Sequence, residues 1–171
     1  MTYAIVYDSR TGNTEELARA VAEALPPEEC VAFGRVGEVD AAALAAAERV
    51  YAGFWTNRGD CADEMAELLA SLDGKEAFLF GTCGFGADET YFAGVMARAA
   101  AHLPESAQVV GSFMCQGRMP ASVRVRYERQ AEANPAQAAR MAQLIENFDA
   151  ALDHPSDDDL ARLRAAVEAV R

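Results

Sequence analysis

Residues 3–18 read YAIVYDSRTGNTEELA, and the local pattern changes twice within them. YAIVY (3–7) is short, apolar and rich in branched and aromatic side chains, so it reads as a buried strand. From Asn13 the period becomes helical: Leu17, Val21 and Leu25 fall four apart with Ala18 and Ala22 beside them, until Pro26 and Pro27 stop the helix. Between strand and helix lie Ser9, Thr11, Asn13 and Thr14, four short polar residues around Gly12. A helix N-terminus offers free N–H groups and the positive end of the dipole, and anions bind there. Gly12 lets the backbone turn tightly and come close to a ligand. One N-cap needs only one such residue. The loop therefore reads as an anion cradle made of neutral donors, with a phosphate as its natural occupant.

Outward from this unit the alternation repeats. CVAF (30–33) reads as a weaker strand, DAAALAAAE (40–48) as a short helix capped by Asp40, and RVYAGF (49–54) as a third strand. Asp60 is placed to cap the next helix, with Met65, Leu68, Leu69 and Leu72 as its stripe and Gly74 as its end. EAFLFGT (76–82) is a fourth strand. A helix around 89–101 carries Tyr91, Phe92, Val95 and Met96, and AQVVGSFMC (107–115) is a fifth strand. A long connection leads to a helix after Asn134–Pro135, with Met141, Leu144, Ile145, Phe148 and Leu152 on one face. Ser156 caps a last helix over 157–170. The strands are continuously apolar, so both faces of the sheet are covered, which predicts a three-layer, doubly wound α/β fold with a parallel sheet. Residues 1–154 are expected to form one ligand-binding domain. Residues 155–171, with the stripe Leu160, Leu163, Val167 and Val170, are expected to form a helical extension packed on that domain.

Composition limits the function classes. The chain of 171 residues is 51% hydrophobic and carries a net charge of −12, which is globular composition rather than disorder. The acidic balance argues against nucleic acid as a partner. It fits plain solubility or a basic patch on another protein. No apolar run approaches the roughly 20 residues of a membrane helix, and MTYAIVYDSR (1–10) lacks the features of a secretory signal. The expectation is a cytoplasmic protein without membrane contact. Cys30, Cys61, Cys83 and Cys115 form no CxxC pair, and His102 and His154 sit in no ligand spacing. Neither a metal site nor a catalytic residue is expected.

In doubly wound sheets, ligands bind beyond the carboxyl ends of the strands. Those ends are SRTGNT (9–14), WTNRGD (55–60) and CGFGADET (83–90). The first lacks the lysine of GxxxxGK[ST] and the spacing of GxGxxG, so a nucleoside triphosphate and a dinucleotide are both disfavoured. A terminal phosphate monoester fits short donors on every side. Trp55, the only tryptophan, precedes polar Thr56, Asn57, Arg58 and Gly59. It reads either as core or as a rim ring on which a flat heteroaromatic stacks. Gly84 and Gly86 flank Phe85 and free the backbone to approach a ring edge. The three loops together describe a site for FMN.

With SRTGNT (9–14), GFWTNRGD (53–60) and FGTCGFG (80–86), the chain resembles the flavodoxin family over residues 2 to about 150. The resemblance implies a five-stranded parallel sheet in the order 2-1-3-4-5, non-covalent FMN and an electron-carrier function. Ser9, Arg10, Thr11, Gly12, Asn13 and Thr14 would hold the phosphate, and Trp55 would stack on the isoalloxazine. Thr56, Asn57, Arg58 and Gly59 would meet the ring near N5, while Thr82, Cys83, Gly84, Phe85 and Gly86 would border the pyrimidine. Many flavodoxins place a tyrosine over the outer flavin face. Here Glu89 or Thr90 stands near that place, so Tyr91 or Phe85 substitutes for it or the face is open.

The leading expectation is a carrier that exchanges electrons with partner redox proteins docking at the flavin edge. Its acidic shell would disfavour the reduced, negatively charged flavin. The alternative is an FMN-dependent NAD(P)H or quinone reductase, for which Arg118, Arg124, Arg126 and Arg129 are candidate anion binders. A binding module without redox chemistry is a third possibility, which Trp55 and the glycine loop argue against. The sequence assigns no oligomeric state.

Overall fold

A computed structural model describes residues 1–86 and 88–171. Strands β1 (Tyr3–Tyr7), β2 (Cys30–Arg35), β3 (Arg49–Trp55), β4 (Glu76–Cys83) and β5 (Gln108–Gln116) form one sheet in the order β2-β1-β3-β4-β5, every pair parallel. That is the order the resemblance implied. The continuous apolarity of the strands is explained by the two cores they serve. Tyr3, Ile5 and Tyr7 of β1 join one core with Leu17 and Val21 of α1 (Asn13–Glu23). Ala4 and Val6 join the other with Met65 and Leu69 of α3 (Asp63–Ala70) and with Val95 and Ala99 of α4 (Glu89–Ala100). Alternate residues of one strand therefore both need apolar side chains.

Helix α2 (Ala41–Ala46) starts at Asp40, whose carboxylate accepts from the N–H groups of Ala42 and Ala43 at 3.0 and 2.9 Å. Helix α7 (Asp157–Glu168) starts with a capping box between Ser156 and Asp159, and its Leu163 and Val167 are fully buried in the α1 core. The Asp159 carboxylate also lies 2.5 Å from His154 Nδ1. Burial works against its charge, but the Ser156 N–H and the His154 ring hold its carboxyl below the ordinary range.

Three local expectations are corrected. Asp60 does not cap α3, which begins at Asp63 with Ala62 in the cap position. Its carboxylate accepts from the Cys61 N–H and faces His102 Nε2 at 3.1 Å. Gly74 does not end α3, which stops at Ala70; Gly74 turns the chain into β4 at φ 69°. The long connection after β5 contains a helix, α5 (Ala121–Ala133), which packs on α6 (Ala138–Ala151). Helix α5 buries none of its residues. Its apolar Val123, Val125 and Tyr127 alternate with arginines at a period of two, so no helical stripe marks it.

Candidate functional site

The carboxyl ends of β1, β3 and β4, together with the segment joining β5 to α5, enclose a cleft of about 900 Å³. Its walls include Arg10, Thr11 and Asn13 from the first loop, Trp55, Thr56, Arg58 and Gly59 from the second, and Thr82, Cys83, Gly84 and Phe85 from the third. The three loops singled out in the sequence thus meet in one place. Ser9, Gly12, Thr14, Asn57 and Gly86 do not form the wall. Ser9 and Thr14 are buried behind it.

The first loop divides its donors between structure and cleft. Ser9 Oγ accepts from the Gly12 N–H at 3.1 Å. Thr14 Oγ1 pairs with Thr82 Oγ1 at 3.0 Å, tying the start of α1 to the end of β4. Asn13 Nδ2 donates to the Arg118 carbonyl at 2.8 Å, while its Oδ1 is buried without a partner. Gly12 stands at φ 93° in the cap position, α1 has no side-chain cap, and the place a Cβ would occupy on Gly12 is open. The start of α1 thus has backbone N–H groups without a side-chain cap, open space beside Gly12 and one buried acceptor, Asn13 Oδ1, without a partner. A Cβ on Gly117 would lie 2.6 Å from Asn13 Nδ2, so only glycine lets the β5–α5 turn pass this close to the cradle.

In the second loop Trp55 is partly buried, and its Nε1 donates to Asp8 Oδ2 at 2.8 Å. The Arg10 guanidinium lies over its ring, 5.4 Å from the centroid. The next residues form a tight turn. Asn57 and Asp60 bridge across it, and Arg58 and Gly59 both have positive φ, 52° and 88°. The N–H groups of Thr56 and Asn57 are spent on the carbonyls of Thr82 and Asp60.

The third loop is clamped from α6. Asn147 accepts from the Gly86 N–H at 2.9 Å and donates to the Gly84 carbonyl at 2.9 Å, and Gln116 donates to the Asn147 side chain at 3.1 Å. Asn147 is a positioning residue that the sequence reading missed, because one polar residue on an amphipathic helix gives no signal of its partner. Phe85 is half exposed and meets Tyr91 edge-on at 6.4 Å. Both line the cleft, and Glu89 and Thr90 do not. The remaining wall, Arg98 from α4, Gly117, Arg118, Met119 and Pro120 from the β5–α5 segment and Ser122, Val123, Arg126 and Tyr127 from α5, was unassigned in the sequence apart from the arginine cluster.

Asp60, Cys61 and His102 bring one donor atom each within 4.8 Å of one another, although the sequence spacing gave no hint of a cluster. Burial, and then the Asp60 carboxylate, push the Cys61 thiol up to about 12, so it is protonated at neutral pH. Burial opposes charge on Asp60, but the Cys61 N–H and the His102 ring hold its carboxyl below the ordinary range. The contact fastens the Trp55 loop to the end of α4. No helix among the described residues is long and apolar enough to cross a membrane.

The chain is 45% identical over 175 residues to the flavodoxin-like domain-containing protein BilS of Clostridium symbiosum, covering 94% of this chain and 91% of that protein. It is 24% identical over 163 residues to the protein of the same name from Clostridioides difficile, covering 91% and 88%. Among solved structures, the flavodoxin of Streptococcus pneumoniae TIGR4 is similar with a TM-score of 0.59 at 23% identity, covering 98% of this chain and 96% of that one. At that identity the likeness speaks for the fold. The model of the flavodoxin domain matches residues 4–168, a span that takes in all five strands save Tyr3, the first residue of β1, and all of α7. Sheet order, cleft position and this match agree: the chain belongs to the flavodoxin domain family.

Proposed function

We propose that the protein is an electron carrier that holds FMN non-covalently in this cleft and exchanges electrons with a partner redox protein. The observation that carries the reading is the convergence of the uncapped, donor-lined start of α1 with Trp55 and the clamped 83–86 loop in one cleft. The first loop would hold the phosphate through the N–H groups at the start of α1 and the Thr11 hydroxyl, with Asn13 Oδ1 as acceptor for a protonated phosphate oxygen. Ser9 and Thr14 would shape that loop from behind. Trp55, steadied by Asp8, would carry the flat ring system, and the exposed Arg10 side chain would give up one face of the indole to it. Arg58 and Gly59 have the unspent amides of the second loop among the described residues, and Cys83 to Phe85 would border the other ring edge. Bound FMN supplies the chemistry of taking up and giving out electrons. The chain supplies binding, orientation and the local field.

The test is a fluorescence titration of the FMN-free protein with FMN and FAD. The expected outcome is one FMN per chain with FAD excluded, because a cradle closing around a terminal monoester leaves no path for an adenylate. Equal affinity for the two would end the reading. A reductase reading is favoured by one observation, the arginines Arg98 and Arg126 in the cleft wall, which could hold an anionic hydride donor. Rapid bleaching of the yellow protein by NAD(P)H alone would support it.

A further inference from the structure

We propose that the mouth of the cleft and the outer face of α5 together form a docking surface for an acidic protein, opposite in polarity to what the net charge of the chain suggests. That the partner is a redox protein rests on the electron-carrier reading; the polarity of the surface does not.

The chain has a net charge of −12, yet the cleft wall holds Arg10, Arg58, Arg98, Arg118 and Arg126 and no aspartate or glutamate. A second groove of about 550 Å³ continues along α5 past Val125, Arg126, Arg129 and Ala133 with no carboxylate in its lining, the acids of α5 being Glu128, paired with Arg124, and the exposed Glu132. Elsewhere Arg19 pairs with Glu15, Arg49 with Glu76 and Arg164 with Glu23, and among the described residues there only Arg140 and Arg171 lack an ion pair. Arg118 pairs with Glu16 beside the first loop, and Arg10 lies on Trp55, so neither is counted here. Arg58, Arg98, Arg126 and Arg129 form no ion pair among the described residues, and all four are exposed.

Two structural details show what this arrangement costs within the chain. Arg58 sits at φ 52° in a tight turn where asparagine or glycine would be less strained. Its turn is braced by Arg98 Nε, which donates to the Gly59 carbonyl at 2.5 Å. Local strain at an exposed tip, for a side chain without an ion pair of its own, points to a contact made elsewhere. Helix α5 buries none of its own residues, and Val125 and Phe85 are left half exposed along the same surface.

A small anion would be gripped by buried, converging donors. Here the cations are exposed, come from three separate segments, and extend beyond the cleft along a partly apolar groove. A broad acidic surface can meet separated cations and cover the apolar residues between them. Charges more than roughly 10 Å away are screened at about 0.1 M salt, so acids on the far faces do not cancel this field at the mouth.

The test has two arms. In the first, the reduced holo protein is mixed with ferricyanide, an anion, at rising ionic strength. Attraction by the local cations makes the rate fall with salt, whereas a field set by the net charge makes it rise, and a rising rate overturns the proposal. In the second, which needs no flavin, the FMN-free protein is titrated with an oligoglutamate peptide and followed by Trp55 fluorescence. The expected result is saturable binding that weakens about tenfold in Arg126→Gln/Arg129→Gln and returns in Arg126→Lys/Arg129→Lys. Equal binding by wild type and the glutamine variant, or none by either, overturns the proposal. So does competition by free citrate as effective as the peptide, which would make the surface a small-anion site. If the protein holds no FMN, the electron-carrier reading fails and the peptide arm still decides the polarity.

Discussion

Thr11 and Trp55 carry the most testable residue-scale roles, for opposite reasons. The Thr11 side chain lines the cleft, and its oxygen accepts one hydrogen bond, from Asn13 Nδ2 at 3.3 Å, so its hydroxyl hydrogen is free. Thr14, one turn on, is committed to Thr82 in the interior. Thr11→Val should weaken FMN by about 1.5–3 kcal/mol, the cost of an unmade charge-assisted bond, and leave riboflavin binding unchanged. Equal weakening of both ligands in a titration would remove the phosphate from this loop. Trp55 is held by Asp8, and the Arg10 guanidinium lies over its ring. Trp55→Ala should loosen FMN by about 1–3 kcal/mol, taking stacking on nucleobases as the scale. Because there is no second tryptophan, its emission should be quenched by FMN and recover on flavin removal. Emission indifferent to flavin would leave Trp55 a core residue. The sequence showed that these residue types were concentrated at strand ends. It could not show which hydroxyls face inward, because that depends on Thr82, 68 positions from Thr14.

At the scale of elements, α7 and α5 respond differently to sequence patterning. The stripe of α7 was plain, and Leu163 and Val167 lie fully buried against α1 and β5. Leu163→Ala should therefore cost about 2–5 kcal/mol in a urea melt; a loss well under 1 kcal/mol would mean α7 is loosely attached. The start of the helix adds a pH signature. Asp159 is held below the ordinary carboxylate range, so its contribution is full above the unfolded value near about 3.9 and is lost as pH falls through its lower folded value. Asp159→Asn should lower stability by about 1 kcal/mol near neutral pH and flatten the loss of stability on acidification. An unchanged acid limb would show that the His154 and Ser156 contacts contribute nothing. Helix α5 was missed because no period of 3.6 exists in ASVRVRYERQAEA. Its packing on α6 is supported by Arg124 paired with Asp149, a contact between segments that local pattern does not report.

For the whole molecule, the distribution of charge matters more than its sum. A carrier with an acidic shell was expected to disfavour reduced flavin, but the cleft wall carries five arginines and no acid. Nearby cations stabilise negative charge on a reduced ring. Arg58→Gln should therefore shift the reduction midpoint of bound flavin to more negative potential in a spectroelectrochemical titration, and a shift the other way would restore the expectation of an acidic field. The sequence by itself determined the alternation of strands and helices, the doubly wound sheet and the three loops at its carboxyl edge. These follow from local periodicity and from the loops that must follow where parallel strands stop. It did not determine the strand order, which came from the resemblance. Only the tertiary structure decided that Asn147 clamps the third loop, that Asp60 meets His102 rather than capping α3, and that unpaired arginines from three segments gather at the mouth. Each of these depends on residues far apart in the chain, and their proximity is set by how helices pack on the sheet, which no local pattern encodes.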